Sequence, residues 1–519
     1  MILNAVKRQL PEKIGDYTVR PYEHAYGEVS DKKITTRRLM GHLLPGSTKL
    51  LSSLEEAILK SGLKDGMTVS FHHCLREGDQ IVGQVLTAVR KLGIKNLRFA
   101  PSAVVNIQDP SVAEFVRDGT ITRIEASGIR GELGRAVSYG EMENPVIFRP
   151  HGGRPRAIEA GELMIDVAFI GASAADDYGN CTGQIGENAF GSLGYAFIDA
   201  YHAGCVVVVT DQLVQYPCIP VSISQQYVDY VVKVDTIGDS ELIGAGAARL
   251  TRRPRDLMIA EKCVDVIAAS RRFQDGYSFQ TGVGAISIAV TKFLMKKAAE
   301  SGVVASFALG GIPAAVIDMY DAGLVRAVAC SQSFDAVAAR AILDRSGVLE
   351  IDNADYANAY TKGGFLNRED FGVLGALEVD TDFNVNILTG CDGTIMSGLG
   401  GGPDVAAGAA VSIVALPIVR GRIPSIVKRV FTVCEPGETV AVVVTEAGIA
   451  LNPRHRNYAE LKEDFKAHGI QTVSIEKLQQ IAEKLTGIPA PIKTTDKIVG
   501  IVEYRDGSVL DVIYEKLQK

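Results

Sequence analysis

Two hydrophobic periods alternate along the chain. Met67–Phe71 is a short apolar run. Val82, Val85, Leu86, Val89 and Leu92 then recur at helical spacing as far as Gly93, which stands where a helix C-cap would. Leu97–Ala100 reads as the next strand. This β-α-β order predicts an α/β protein with mostly parallel sheets and helices packed on them. The same order returns later at a near-constant offset. Asp65-Gly66 corresponds to Asp275-Gly276, Gly93 to Gly302, Val112–Gly119 to Val316–Gly323, and Ser192–Gly194 to Gly398–Gly400. Four landmarks in one order predict two tandem α/β halves. The boundaries expected are 1–254 (with 1–40 as an N-terminal extension) and 255–490, divided at the basic stretch Arg249–Asp256. Lys497–Tyr504 and Ser508–Tyr514 alternate with period two around Asp506-Gly507, a hairpin signal. Residues 491–519 are therefore expected to form a small separate β-hairpin appendage.

Length agrees with this division, because 519 residues exceed what one core organises. The net charge of −7 argues against broad nucleic-acid binding. The longest uncharged runs, Ser301–Ile317 and Val405–Val419, contain proline and fall short of the ~20 residues that span a bilayer. They read as buried strand–turn–helix pieces, so no membrane association is expected. The first residues hold no apolar signal core. The eight cysteines are scattered without a C-x-x-C pair, which suits reduced thiols in a cytoplasm and no metal site.

The densest chemical signal is Ser397-Gly-Leu-Gly-Gly-Gly-Pro-Asp404, followed by an alanine-rich run. Such glycines let bare N–H groups approach a ligand, and at a helix start those groups bind anionic oxygens. The segment lacks the Gly-Lys-Ser/Thr of a P-loop, and Pro403 occupies the third-glycine position of a dinucleotide fingerprint. Its readings are a structural turn or an oxyanion site. Gln280-Thr-Gly282-Val-Gly284 is a second glycine turn, read as tight strand–helix packing or as part of the same site. At the equivalent place in the first half stand His72, His73 and Arg76, outside the carboxyl end of a strand, where open α/β sheets gather ligands. His151-Gly-Gly-Arg154-Pro-Arg156 reads as an exposed loop or as a site for a polycarboxylate, since arginine forks match carboxylates.

Asp275–Val290 resembles the D-G-x-x-x-Q-x-G-x-G-x-I-x-x-A-V stretch of CoA-transferases. Gly398–Ala409, Val443–Ile449 and Asp166–Asn180 resemble further motifs of that superfamily. Asp65–Asp79, Gly152–Glu162 and the C-terminal hairpin are similar, more narrowly, to the alpha subunits of citrate lyases. The resemblance covers nearly the whole chain. It implies two CoA-transferase-like domains and an exchange of acetate for citrate on the thioester of an acyl carrier protein, the gamma subunit. A citryl-carrier lyase, the beta subunit, would complete an oligomeric complex. The chain itself would bind no cofactor and act on the carrier's phosphopantetheine group, with CoA or acetyl-CoA as a surrogate. Covalent CoA-transferases carry a nucleophilic glutamate, and its position falls here on Gly310. Direct transfer without an acyl-enzyme is thus the expectation. The amides of Gly400, Gly401, Gly282 and Gly284 are the expected oxyanion donors. His72, His73, Arg76, Gln280, Arg154, Arg156, Gly398 and Gly402 are the expected substrate contacts. The alternatives are a covalent CoA-transferase using Glu378 or Glu446, or a non-catalytic scaffold of the same fold.

Overall fold

The computed structural model describes residues 1–26, 43–245 and 250–517. Arg249 and residues 27–40 of the expected N-terminal extension lie outside these residues.

The two halves carry one topology. In the first, strands Val146–Phe148, Ile121–Ala126, Leu97–Phe99, Thr68–Ser70, Val167–Ala172, Cys205–Thr210 and Tyr230–Lys233 lie side by side in that order. In the second, the order is Val348–Glu350, Val325–Ser333, Ala305–Ile312, Ser278–Thr281, Phe371–Gly375, Val411–Ala415 and Val442–Thr445. Numbered along the chain, both read 4-3-2-1-5-6-7, and every pairing within each set is parallel. Each sheet therefore reverses direction between its first and fifth strands. That is where an open parallel sheet opens a crevice at its carboxyl edge. The strand Cys205–Thr210, Cys-Val-Val-Val-Val-Thr, is buried throughout, as expected when helices cover both faces.

The helix predicted from Val82–Leu92 spans Ile81–Lys91, and Gly93 follows at φ +75°. Its counterpart Ala285–Ser301 ends in left-handed Gly302. Each uncharged run contributes a strand, Ala305–Ile312 and Val411–Ala415, next to a helix; the second strand is buried throughout and the first in part. The helix Pro254–Ala269 opens the second half with proline in its first turn.

The C-terminal hairpin forms with its turn at Asp506-Gly507, and its strands are Thr494–Glu503 and Val509–Lys516. It does not stand apart. Gly500–Val502 pairs in parallel with Val146–Phe148, so the hairpin becomes the edge of the first sheet. With Leu50–Leu51 at the other edge that sheet has ten strands. The N-terminal segment covers the hairpin: Leu10 and Val19 pack on Ile501, Val509 and Val512, and Asn4 Nδ2 donates to the carbonyls of Val509 and Leu510.

The carboxyl edges of the two sheets meet. Glu350, at the end of its strand, accepts from Leu193 N at 2.6 Å, Gln184 Nε2 at 2.9 Å and Ser222 Oγ at 2.7 Å across the divide. Gln332 Nε2 donates to His73 O at 2.8 Å. Gly128 and Gly398 form an antiparallel bridge between halves, and a Cβ on Gly398 would lie 2.7 Å from Gly128 Cα, so only glycine permits this approach. Among the described residues no helix is long and apolar enough to cross a membrane.

Candidate active site

At the meeting of the carboxyl edges lies a polar cluster drawn from both halves. The glycine loop turns against the first half: Leu399 N donates to Ser127 O at 2.7 Å, and His151 N to Gly400 O at 2.8 Å. Gly401 opens the short helix Gly402–Gly408. Among the described residues the N–H groups of Gly400 and Gly401 have no acceptor, which leaves two unpaired donors in the loop beside the cluster. The turn at 280–284 reaches the loop through a side chain. Gln280 Nε2 donates to the Tyr356 hydroxyl at 2.9 Å, and a Cβ on Gly401 would lie 2.5 Å from that hydroxyl. The two turns thus meet at the Tyr356 hydroxyl. Gly310 lies beside Gln280 at φ +95°, in the left-handed region, and a Cβ there would meet the Gln280 amide at 2.7 Å. A β-bulge between Gly310 and Gly311 accompanies this geometry.

From the first half come the rings. Neighbouring residues at the end of Thr68–Ser70 point oppositely. His72 Nε2 accepts from Gly171 N at 2.9 Å, within its own sheet. His73 turns toward the cleft, with Nδ1 2.6 Å from Ser102 Oγ and its ring 4.4 Å from that of Tyr195. The Tyr195 hydroxyl lies 2.8 Å from His151 Nδ1. Burial lowers all three histidines, His72 to about 4 and His151 to about 3, so these rings are neutral at pH 7. They can hydrogen-bond a substrate but not neutralise it. Positive charge comes from Arg76, whose guanidinium lies 4.6 Å from the centre of the Phe334 ring and whose Nε donates to Ile243 O at 3.1 Å.

Two buried carboxyls back the glycine loop. Asp404 Oδ2 accepts from Gly152 N at 2.8 Å, and Arg505 Nε, from the C-terminal hairpin, lies 3.5 Å from Oδ1. Burial raises Asp404 to about 7 against the opposing pull of Arg505. Glu435 is fully buried, neither of its oxygens has a hydrogen-bond partner, and burial raises it to about 8. A Cβ on Gly402 would lie 2.3 Å from Glu435 Oε1, so the carboxyl presses directly under the loop.

Several expectations need correction. Arg154 is not free for substrate. It is buried, paired with Asp199 at 2.9 Å, and donates to Ser70 Oγ and Ala100 O. Arg156 is buried with Glu162 2.6 Å away and lies against Gly507 of the hairpin turn. Both hold the first half together. The stretch around them is a buried helix, Gly153–Glu159, and its contribution to the cleft is His151. Gly282 N already donates to Val373 O at 3.3 Å, which removes it as an oxyanion donor. Gly284 caps the helix Ala285–Ser301. Gly398 and Gly402 shape the loop through the contacts above, and His72 belongs to the sheet. Of the alternative nucleophiles, Glu446 Oε2 accepts from Ile418 N at 2.8 Å and Glu378 accepts from Asn386 Nδ2 at 3.0 Å. The sequence reading missed Tyr195, Tyr356, Glu435, Arg505 and Arg130. Tyr356, Glu435 and Arg130 stand in no motif, and Tyr195 and Arg505 border segments that read as a repeat landmark and a hairpin turn, which gave no sign of chemistry. Among the described residues no cluster of His, Cys, Asp and Glu could hold a metal ion.

Comparison with known proteins shows the family. The profile of the family described as citrate lyase, alpha subunit, matches residues 47–516. The citrate lyase alpha chain of Escherichia coli is 48% identical over 467 residues, covering 90% of this chain and 91% of that protein. The Klebsiella pneumoniae chain is 46% identical over 465 residues, with 90% and 91% covered. A Streptococcus mutans crystal structure, described as an alpha subunit of citrate lyase in complex with citrate, superposes with a TM-score of 0.95. It is 45% identical and covers 99% of this chain and 100% of its own. A malonate decarboxylase alpha subunit from Acinetobacter baumannii shares the fold alone, with a TM-score of 0.62 at 14% identity over 84% of this chain and 88% of its own. The chain belongs to the family of citrate lyase alpha subunits.

Proposed function

We propose that this protein exchanges acetate for citrate on the phosphopantetheine thioester of an acyl carrier protein, and that it does so without an acyl-enzyme. The observation that carries the reading is the convergence of the bare Gly400 and Gly401 amides with Gln280 and Tyr356 beside Gly310.

A citrate carboxylate is ionised at neutral pH and needs no general base. One of its oxygens attacks the acetyl carbonyl, the C–S bond breaks, and a mixed acetyl–citryl anhydride and a thiolate result. The thiolate then attacks the citryl carbonyl, the anhydride C–O bond breaks, and acetate leaves with one oxygen that came from citrate. Each step passes through a tetrahedral oxyanion. Donors fixed toward that oxygen are worth roughly 3–4 kcal/mol each, and holding the reactants in attack geometry supplies ~7–11 kcal/mol more. The Gly400 and Gly401 amides supply the donors. The neutral His73 and His151, with Tyr195, hydrogen-bond the acid, and Arg76 meets a carboxylate. Gly310 has no side chain to attack the thioester, and its left-handed φ disfavours any replacement that would. The product, citryl carrier, suits a separate lyase subunit of the same complex, which the family's name implies.

The test is purified protein with acetyl-carrier and labelled citrate. Citryl-carrier and free acetate are expected in equal amounts. Their absence with a carrier shown to be competent overturns the reading.

A further inference from the structure

One arginine of the cleft has no counterpart in the motifs. Arg130 ends the loop Ser127–Arg130, whose backbone bonds the glycine loop, and it precedes the helix Gly131–Ser138. Its Nε is buried without a hydrogen-bond partner, and among the described residues Arg130 makes no ion pair. Arg76 makes none either. It adopts φ +53°, a left-handed conformation that a long side chain avoids unless its surroundings enforce it. The two guanidiniums lie within electrostatic reach of each other and of the neutral His73.

The carboxylates nearest these arginines are already engaged. Glu77 acts on both at longer range, but its Oε1 accepts from Asn106 Nδ2 at 2.8 Å and its Oε2 from Ile107 N at 3.1 Å. Asp109 caps the following helix through Glu132 N at 2.6 Å and Leu133 N at 3.2 Å. Two half-buried guanidiniums without a contacting counterion are a costly arrangement for the empty protein. An anion bound between them removes that cost.

We propose that Arg76 and Arg130 form a two-point clamp for two carboxylates of a tricarboxylic acid, and that Arg130 is the residue that distinguishes such an acid from acetate. This rests on the function proposed above and adds its specificity determinant. The acid's third carboxylate stays free to point at the glycine loop, where the acyl carbonyl reacts. Acetate has one carboxylate and cannot engage the clamp while it leaves from that loop. The clamp thus favours entry of the polyacid and release of the monoacid. Arginine suits the task because its fork binds a carboxylate two bonds at a time.

The experiment measures citrate, tricarballylate and acetate binding to the intact protein by calorimetry, with thermal melts in parallel, for wild type, Arg130→Gln and Arg130→Lys. In wild type, citrate and tricarballylate bind and raise Tm, and acetate at equal concentration does not. Arg130→Gln is expected to weaken both polyacids by ~10–100-fold, the range for a charged hydrogen bond. It should keep or slightly raise the ligand-free Tm, because a like-charge repulsion has been removed. A structural role would instead lower that Tm. Arg130→Lys should fall between the two, since it keeps the charge but loses the fork. Equal polyacid affinity in wild type and both variants overturns the clamp while leaving the transferase reading intact. A wild type that binds neither polyacid and makes no citryl-carrier overturns both.

Discussion

At the scale of single residues, the cleft is governed by close approaches that tolerate no extra atom. Gly401→Ala would drive a methyl into the Tyr356 hydroxyl, 2.5 Å from where its Cβ must go. It is expected to lower kcat by ~100-fold. Adding Tyr356→Phe, which removes that hydroxyl, should restore part of the loss, as steady-state kinetics of the double variant will show. Glu435 bears on stability. Its folded pKa of about 8 lies above the ordinary carboxyl value because burial disfavours the charged form. The folded state therefore holds a proton that the unfolded state has released between pH ~4.3 and ~8. The stability that Glu435 contributes is present below that window and is lost as pH rises through it. Glu435→Gln should gain on wild type by up to about 1.4 kcal/mol per pH unit across the window, measured by denaturant melts at pH 5, 6.5 and 8. A pH-independent difference would contradict this. The glycines of the loop were legible from sequence because their density is itself a signal. Arg154 was misread because nothing local shows that Asp199, 45 residues on, sits 2.9 Å from it.

At the scale of elements, the C-terminal hairpin acts on the glycine loop. Arg505 Nη2 donates to Ala357 O at 3.0 Å while Nε faces Asp404, and Asp404 holds Gly152 beside the His151–Gly400 bond. The other ionisable groups acting with Asp404 are the hydroxyls of Tyr195, Tyr356 and Tyr504, which burial keeps protonated. Among the described residues Arg505 is thus the one cation that opposes the rise of Asp404. If the loop needs Asp404 ionised, kcat climbs with pH through its titration near 7. Arg505→Met should displace that acid limb to higher pH, and Arg505→Lys should displace it less. Parallel profiles with a uniform loss would instead mark Arg505 as a packing residue. The hairpin itself was legible from Asp506-Gly507 and the flanking alternation. Its destination was not, because the pairing of Gly500–Val502 with Val146–Phe148 joins segments far apart in sequence and leaves no local trace.

At the scale of the molecule, a duplicated 4-3-2-1-5-6-7 sheet brings two crevices face to face, and the proposed reaction site is the seam. The duplication was readable because both copies keep the same turn glycines. The seam was readable only in part, because which side chains cross it depends on how the halves dock. Ending the chain at residue 490 would strip both hairpin strands from the first sheet and expose Val146–Phe148 as an unpaired edge. The truncated protein is expected to aggregate, visible by light scattering. A soluble monomer with wild-type Tm would refute the hairpin's role in that sheet. The central claim, direct transfer between bound acids, is tested most directly by a single turnover with protein in excess over acetyl-carrier and citrate labelled with oxygen-18 in its carboxylates. The account predicts one labelled oxygen in the released acetate and none in any protein carboxylate. Unlabelled acetate, with the label recovered on a glutamate, would contradict it.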